Sequence, residues 1–156
     1  VLSFGDKPVE VFGRQIAFNA VPLALLHRQQ GWPDVDRRLA AETAAVLDLA
    51  EESVNVRALQ VAVFHGTGML VSIGLETLPG RKARREMFAG EPFDATPSTP
   101  ADLGDSESVH VLDLTGESGT LDLWIAADLL RAGGAANGAR IAEKLVAGAA
   151  MERGNA

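Results

Sequence analysis

The chain has 156 residues, with 14 basic and 21 acidic side chains, a formal net charge of −7 and no cysteine. That length suffices for one domain with a core of its own. The acidic balance argues against binding a nucleic-acid backbone, which needs a basic face. The lack of cysteine excludes disulfides, thiolate metal sites and a thiol nucleophile from this chain. Hydrophobic residues make up 47%, normal for a folded protein. There is no leader-like start and no long apolar run, so a cytoplasmic protein with neither a membrane nor a nucleic-acid partner is expected. The chain starts at Val1 and its opening, VLSFGDKPVEVF, reads as mid-chain, so a piece of something longer is expected.

Residues 1–13 carry Gly5, Pro8 and Gly13 without a period and read as an extended connection. RQIAFNAVP (14–22) fits either a short strand or a buried loop. Residues 23–30 form a short helix stopped by Gly31. Pro33 and Asp34 open the clearest helix, to about residue 50, because proline suits a first turn and an acidic group suits the positive helix start. Val35, Leu39, Val46 and Ala50 recur at helical spacing as its packing face, with Asp36, Arg37, Arg38 and Asp48 towards water.

Two strands follow, 54–64 and 70–76, joined by the glycine turn of VAVFHGTG (61–68). Both faces of the first are largely apolar, which suits a covered sheet. A strand that delivers a polar side chain into a glycine turn is a natural place for a site. RKARREMF (81–88) is a helix whose basic face reads as solvated. PFDATPSTP (92–100) is a proline-rich loop that continues to residue 108. Strands at 109–114 and 121–127, joined by a turn at 116–119, suggest a hairpin. After a break at Gly133–Gly134 a last helix runs from 135 to about 151. The order suits an α+β domain with a mixed or antiparallel sheet and helices on one face.

The candidate chemistry is sparse. His27, His65 and His110 are scattered, with no ligand spacing for a metal. His65 alone lies beside a turn, where its titration range would suit acid–base work, although a surface role is the commoner one. Ser72, Ser106 and Ser108 lack a nucleophile elbow. Gly133, Gly134 and Asn137 open a helix that could receive a phosphate, or simply permit a tight turn.

Taken together, RQIAFN (14–19) with Pro22, Glu42-Thr43, VAVFHG (61–66) and LWIAAD (123–128) through Gly133 to Asn137 resemble the aspartate-β-semialdehyde dehydrogenase family, in order and separation. The resemblance covers nearly the whole chain, 1–156. It implies the second, dimerisation domain, the fold shared with the C-terminal half of glyceraldehyde-3-phosphate dehydrogenases. It further implies a separate N-terminal domain holding NADP and a cysteine nucleophile. No cofactor is expected to bind this chain alone, and a homodimer is the expected assembly. In the family, a Glu at Glu42 contacts the substrate amine and a Lys at the place of Ala45 its phosphate. An Arg that clamps the substrate carboxylate is replaced by Gln60, which loses the charged fork. The acid–base His is replaced by Thr67, whose hydroxyl takes no proton near neutrality; that substitution alone removes about 10²–10⁴-fold of rate. The Asn that meets the nicotinamide is replaced by Leu129, and a Lys by Ala132, whereas Arg131, Gly133 and Asn137 match. Scaffold positions are kept and chemical ones changed. A catalytically impaired paralogue that dimerises is the first expectation. An active oxidoreductase on another aldehyde or acyl phosphate, with His65 as acid–base group, is the second. A stand-alone, monomeric binding module is the third.

Overall fold

A computed structural model describes residues 15–30, 34–116 and 119–154. Expectations for residues 1–14, for Pro33 and for the middle of the 116–119 turn lie outside the described residues. The chain divides into two compact units, Val1–Ala62 and Val63–Ala156.

In the first unit β1 (Ala20–Pro22) leads directly into α1 (Leu23–Gln30), and α2 (Val35–Leu47) follows. Asp34 caps α2 by accepting a hydrogen bond from the Arg37 amide at 3.3 Å. Asp48 ends it in the left-handed region, φ 54°, a conformation that aspartate tolerates better than most residues. The helix is thus shorter at both ends than the apolar periodicity suggests. Its packing face also differs from the expected one. Ala40 and Ala44 are buried, whereas Leu39 is exposed and Val46 is 84% exposed. Small side chains allow close approach of the helix, and the larger aliphatics point outward. Asp36 does not simply face water. It is half-buried, and its carboxylate accepts the Ala58 amide at 2.9 Å.

The expected 54–64 strand is mostly irregular. A single 3-10 turn spans Glu51–Ser53, and only β2 (Leu59–Val61) is extended, paired antiparallel to β1 through Val21 opposite Gln60. It is not a covered strand: Leu59, Val61, Val63 and Phe64 are all exposed. Apolar composition on both faces there reflects exposed aliphatics, not burial.

The second unit is built on a four-stranded mixed sheet, ordered β3-β6-β5-β4. Its strands are β3 (Thr67–Gly74), β4 (Phe93–Asp94), β5 (Val109–Asp113) and β6 (Thr120–Ala127). β5 and β6 form the expected antiparallel pair, with Val111 opposite Ile125. β3 starts three residues earlier than its pattern suggests and pairs with β6 along its whole length. The strands on either side of the 61–68 turn therefore belong to different sheets.

Alternation fixes the two faces of this sheet. Val111, Leu121 and Leu123 form a buried cluster joined by Val71, Leu78, Phe88, Val109 and Ile125. Leu78 and Phe88 flank α3 (Arg81–Met87), which ends one residue before the expected limit. The basic side of α3 is not wholly solvated. Arg84 is half-buried and meets Asp113 at 2.8 Å. On the opposite face lie His110, Leu112, Trp124 and Ala126, with the 95–108 segment running across one end; the Trp124 indole donates to the Ser98 carbonyl at 2.8 Å. Finally α4 (Gly134–Gly154) exposes Ile141, Leu145 and Val146.

Candidate functional site

In the first unit, Glu42 stands on the exposed side of α2, held by Arg38 one turn earlier at 2.9 Å. Ala45 is exposed on the same helix and offers no polar group. Gln60 sits in the middle of β2, half-buried, with its amide donating to the Val61 carbonyl at 3.0 Å. The amide is neutral and already engaged locally, so it supplies no charged fork for a carboxylate. An open cavity of about 610 Å³ does exist in this unit, lined by Asp34, Asp36, Arg37, Glu51, Glu52 and Arg57 among others. None of Glu42, Ala45 and Gln60 borders it.

In the second unit the register gathers the other positions. Thr67, the first residue of β3, lies opposite Ala127, the last of β6. Asp128 follows, is buried, and accepts the Leu130 amide at 2.9 Å, while its carbonyl accepts the amides of Arg131 and Ala132. This turn carries Leu129 outward into solvent. Gly133 folds back on it so closely that a β-carbon would lie 2.9 Å from the Leu129 carbonyl oxygen. Thr67, Leu129 and Gly133 thus share one end of the β3–β6 pair.

Two glycines shape the same end. At Gly66, φ is 83° and a β-carbon would stand 2.8 Å from Leu103 Cδ1. At Gly68 it would stand 2.3 Å from Trp124 Cη2, so the indole covers the strand only because glycine is there. His65 is exposed. Chemically, this end holds the Thr67 hydroxyl, the exposed Leu129 side chain, backbone and the buried Asp128 carboxylate, with His65 exposed in the turn before Thr67.

Sequence reasoning did not find the polar cluster around His110. That ring is buried, with Nδ1 3.1 Å from Ser98 Oγ and Nε2 3.0 Å from Ser106 Oγ. Carboxylates nearby are held below the usual range. For Asp94 the cause is hydrogen bonding from Thr96, and for Asp102 hydrogen bonding from Thr99. Among the described residues no group of His, Asp or Glu side chains could hold a metal. Among them, too, no helix is long and apolar enough to cross a membrane.

No protein-family profile matches the sequence. The chain is 31% identical over 144 residues to the USG-1 protein homolog of Azotobacter vinelandii, covering 86% of this chain and 43% of that protein. It is 30% identical over 152 residues to aspartate-semialdehyde dehydrogenase 2 of Vibrio cholerae, again covering 86% and 43%. A crystal structure of Vibrio cholerae aspartate semialdehyde dehydrogenase II complexed with ASA superimposes with a TM-score of 0.70 at 25% identity, over 86% of this chain and 43% of that one. The chain therefore spans less than half the length of the relatives it matches. The fold is that of the C-terminal, glyceraldehyde-3-phosphate dehydrogenase-like domain of these enzymes. The chain belongs to the aspartate-semialdehyde dehydrogenase family, as a segment the size of that one domain.

Proposed function

We propose that this chain is the dimerisation domain of an aspartate-semialdehyde dehydrogenase-like protein and contributes little or no catalysis of its own. The observation that carries the reading is which side chains stand at four positions, two in each unit. By the resemblance, Gln60, Thr67, Ala45 and Leu129 stand where the family carries charged or hydrogen-bonding groups. An acyl-transfer site without a base near its nucleophile and without a charged clamp for its substrate loses both proton transfer and orientation. The family reaction is the NADP-dependent interconversion of aspartyl phosphate and aspartate semialdehyde in amino-acid biosynthesis. In this reading NADP belongs to an N-terminal nucleotide-binding domain of the same protein. Leu129 gives the cofactor no hydrogen bond, so no step through NADP is assigned to this chain. The partners are a second copy of the chain and that N-terminal domain, in the cytoplasm.

Two measurements test the reading. Sedimentation of the 156-residue chain should show a dimer, and a tight monomer would overturn that part. Assayed in a protein that joins this chain to its nucleotide-binding domain, NADP-dependent turnover of aspartate semialdehyde and phosphate should be at background. Robust turnover would overturn the other part.

A second reading rests on His65, which is exposed in the same turn as Thr67. There the protein reduces or oxidises another aldehyde or acyl phosphate with His65 as the acid–base group. His65→Ala should then abolish turnover of the responsive substrate, and unchanged turnover removes the mechanism.

A further inference from the structure

The segment 95–108 joins β4 to β5, two neighbouring parallel strands. It crosses the sheet face that carries His110. The His110 ring holds both arms of this crossing. On one side Nδ1 approaches Ser98 Oγ at 3.1 Å and the Thr96 carbonyl at 3.3 Å. On the other, Nε2 approaches Ser106 Oγ at 3.0 Å. A carbonyl can only accept, so the neutral ring carries its hydrogen on Nδ1 and accepts the Ser106 hydroxyl at Nε2. Ser106 Oγ in turn accepts the Ser108 amide at 3.2 Å. The Asp94 carboxylate stands 4.0 Å from Nδ1, beyond hydrogen-bond distance.

What the segment touches gives the arrangement its meaning. Leu103, buried at its middle, presses on Gly66, with the Pro100 carbonyl beside it at 3.2 Å from where a β-carbon would be. Asp105 pairs with Arg131 at 2.8 Å, and the Glu107 carbonyl accepts from Arg140 at 3.1 Å. One segment therefore reaches the turn before Thr67 and the turn after Leu129. We propose that His110 is the latch of this strap, and that the latched strap fixes the Gly66–Thr67 turn in the second unit. His110 touches neither turn; it is a positioning residue. The proposal rests on reading that turn as part of the site, but its geometry can be tested without any turnover.

The test is amide hydrogen exchange of the whole 156-residue chain, read by mass spectrometry. His110→Phe fills the space but removes both ring contacts. Exchange should quicken about tenfold in 95–108 and in 64–67, the scale of one or two lost hydrogen bonds, with Val71 and Leu123 unchanged. Ser106→Ala removes one contact and should give the same pattern, weaker. His110→Gln, which keeps a donor and an acceptor, should restore part of the protection. Leu103→Ala should quicken 64–67 alone while 95–108 stays protected. Ring nitrogen shifts of His110 should report the Nδ1–H form. If His110→Phe fails to fold, Ser106→Ala decides. A released strap with unchanged exchange at 64–67 overturns the proposal, as does a strap indifferent to both variants. Neither result depends on whether the protein turns over a substrate, so failure of the proposed function would be recognised separately.

Discussion

The Arg84 guanidinium and the Asp113 carboxylate meet at 2.8 Å and tie α3 to the last residue of β5; their side chains are only 11% and 21% exposed. The same guanidinium donates to the Pro79 carbonyl at 2.7 Å, fixing the start of the helix as well. Burial pushes the Asp113 carboxyl up, but hydrogen bonds from Thr115 and Arg84 outweigh it and hold the group below its ordinary range. Removing Arg84 leaves a mostly buried carboxylate without its counter-charge, held only by Thr115. Arg84→Ala should therefore cost about 3 kcal/mol in urea unfolding. The pair Arg84→Met with Asp113→Leu should cost far less, because no charge is left stranded. Equal losses for the single and double variants would mean that the contact is packing alone.

Gly68 and Trp124 make a second prediction. A methyl group at residue 68 would overlap the indole at 2.3 Å, and the Trp124–Ser98 hydrogen bond would have to move with it. Gly68→Ala should destabilise the protein by about 1–3 kcal/mol, the usual cost of overpacking. Trp124 and Trp32 are the only tryptophans. In a Trp32→Phe background, a red-shifted emission should accompany the loss.

The carboxylates of Asp94, at the end of β4, and Asp102, in the strap, predict an acid limb. Asp94 and Asp102 have lowered folded-state pKa values from hydrogen bonds within 94–102. A depressed carboxylate stabilises the fold above its unfolded pKa, about 4, and that contribution is lost as pH falls through the lower folded value. Stability should thus decline below about pH 4. Asp102→Asn should be less stable at pH 7 and show a shallower acid decline. An unchanged slope would show that the Thr99–Asp102 cap is not linked to proton uptake.

Restoring the family side chains tests the site itself. Gln60 makes only a local bond to the Val61 carbonyl, so Gln60→Arg should leave thermal unfolding almost unchanged. Joined to a nucleotide-binding domain with its cysteine, the variant carrying Gln60→Arg and Thr67→His should gain turnover of aspartate semialdehyde, about 10²-fold or more from the base alone. No gain would place the defect outside these two positions.

The regular elements were legible where local pattern and tertiary demand agree. Leu23–Gln30, the β5–β6 pair and the long C-terminal helix all follow from period and punctuation. The 54–64 stretch misled because Leu59, Val61, Val63 and Phe64 are exposed, so its apolar character did not signal burial. On α2 the aliphatics Leu39 and Val46 gave the stronger helical stripe, yet Ala40 and Ala44 are the buried residues. Hydrophobicity ranks side chains by size, whereas close helix packing selects small ones. The His110 cluster left no signal because its serines lie 12 and 4 residues away in an irregular segment.

β3 has a further consequence for handling the protein. Among the described residues it forms the outer border of its sheet, eight residues long, without a charge or a proline. Leu70 is 71% exposed on it. Natural sheets usually guard such borders with lysine, proline or a bulge, and an unguarded one templates strand addition from any neighbour. The chain is therefore expected to precipitate or form thioflavin-binding assemblies as it is concentrated, and Leu70→Lys is expected to raise its solubility limit without altering its melting temperature by more than a few degrees.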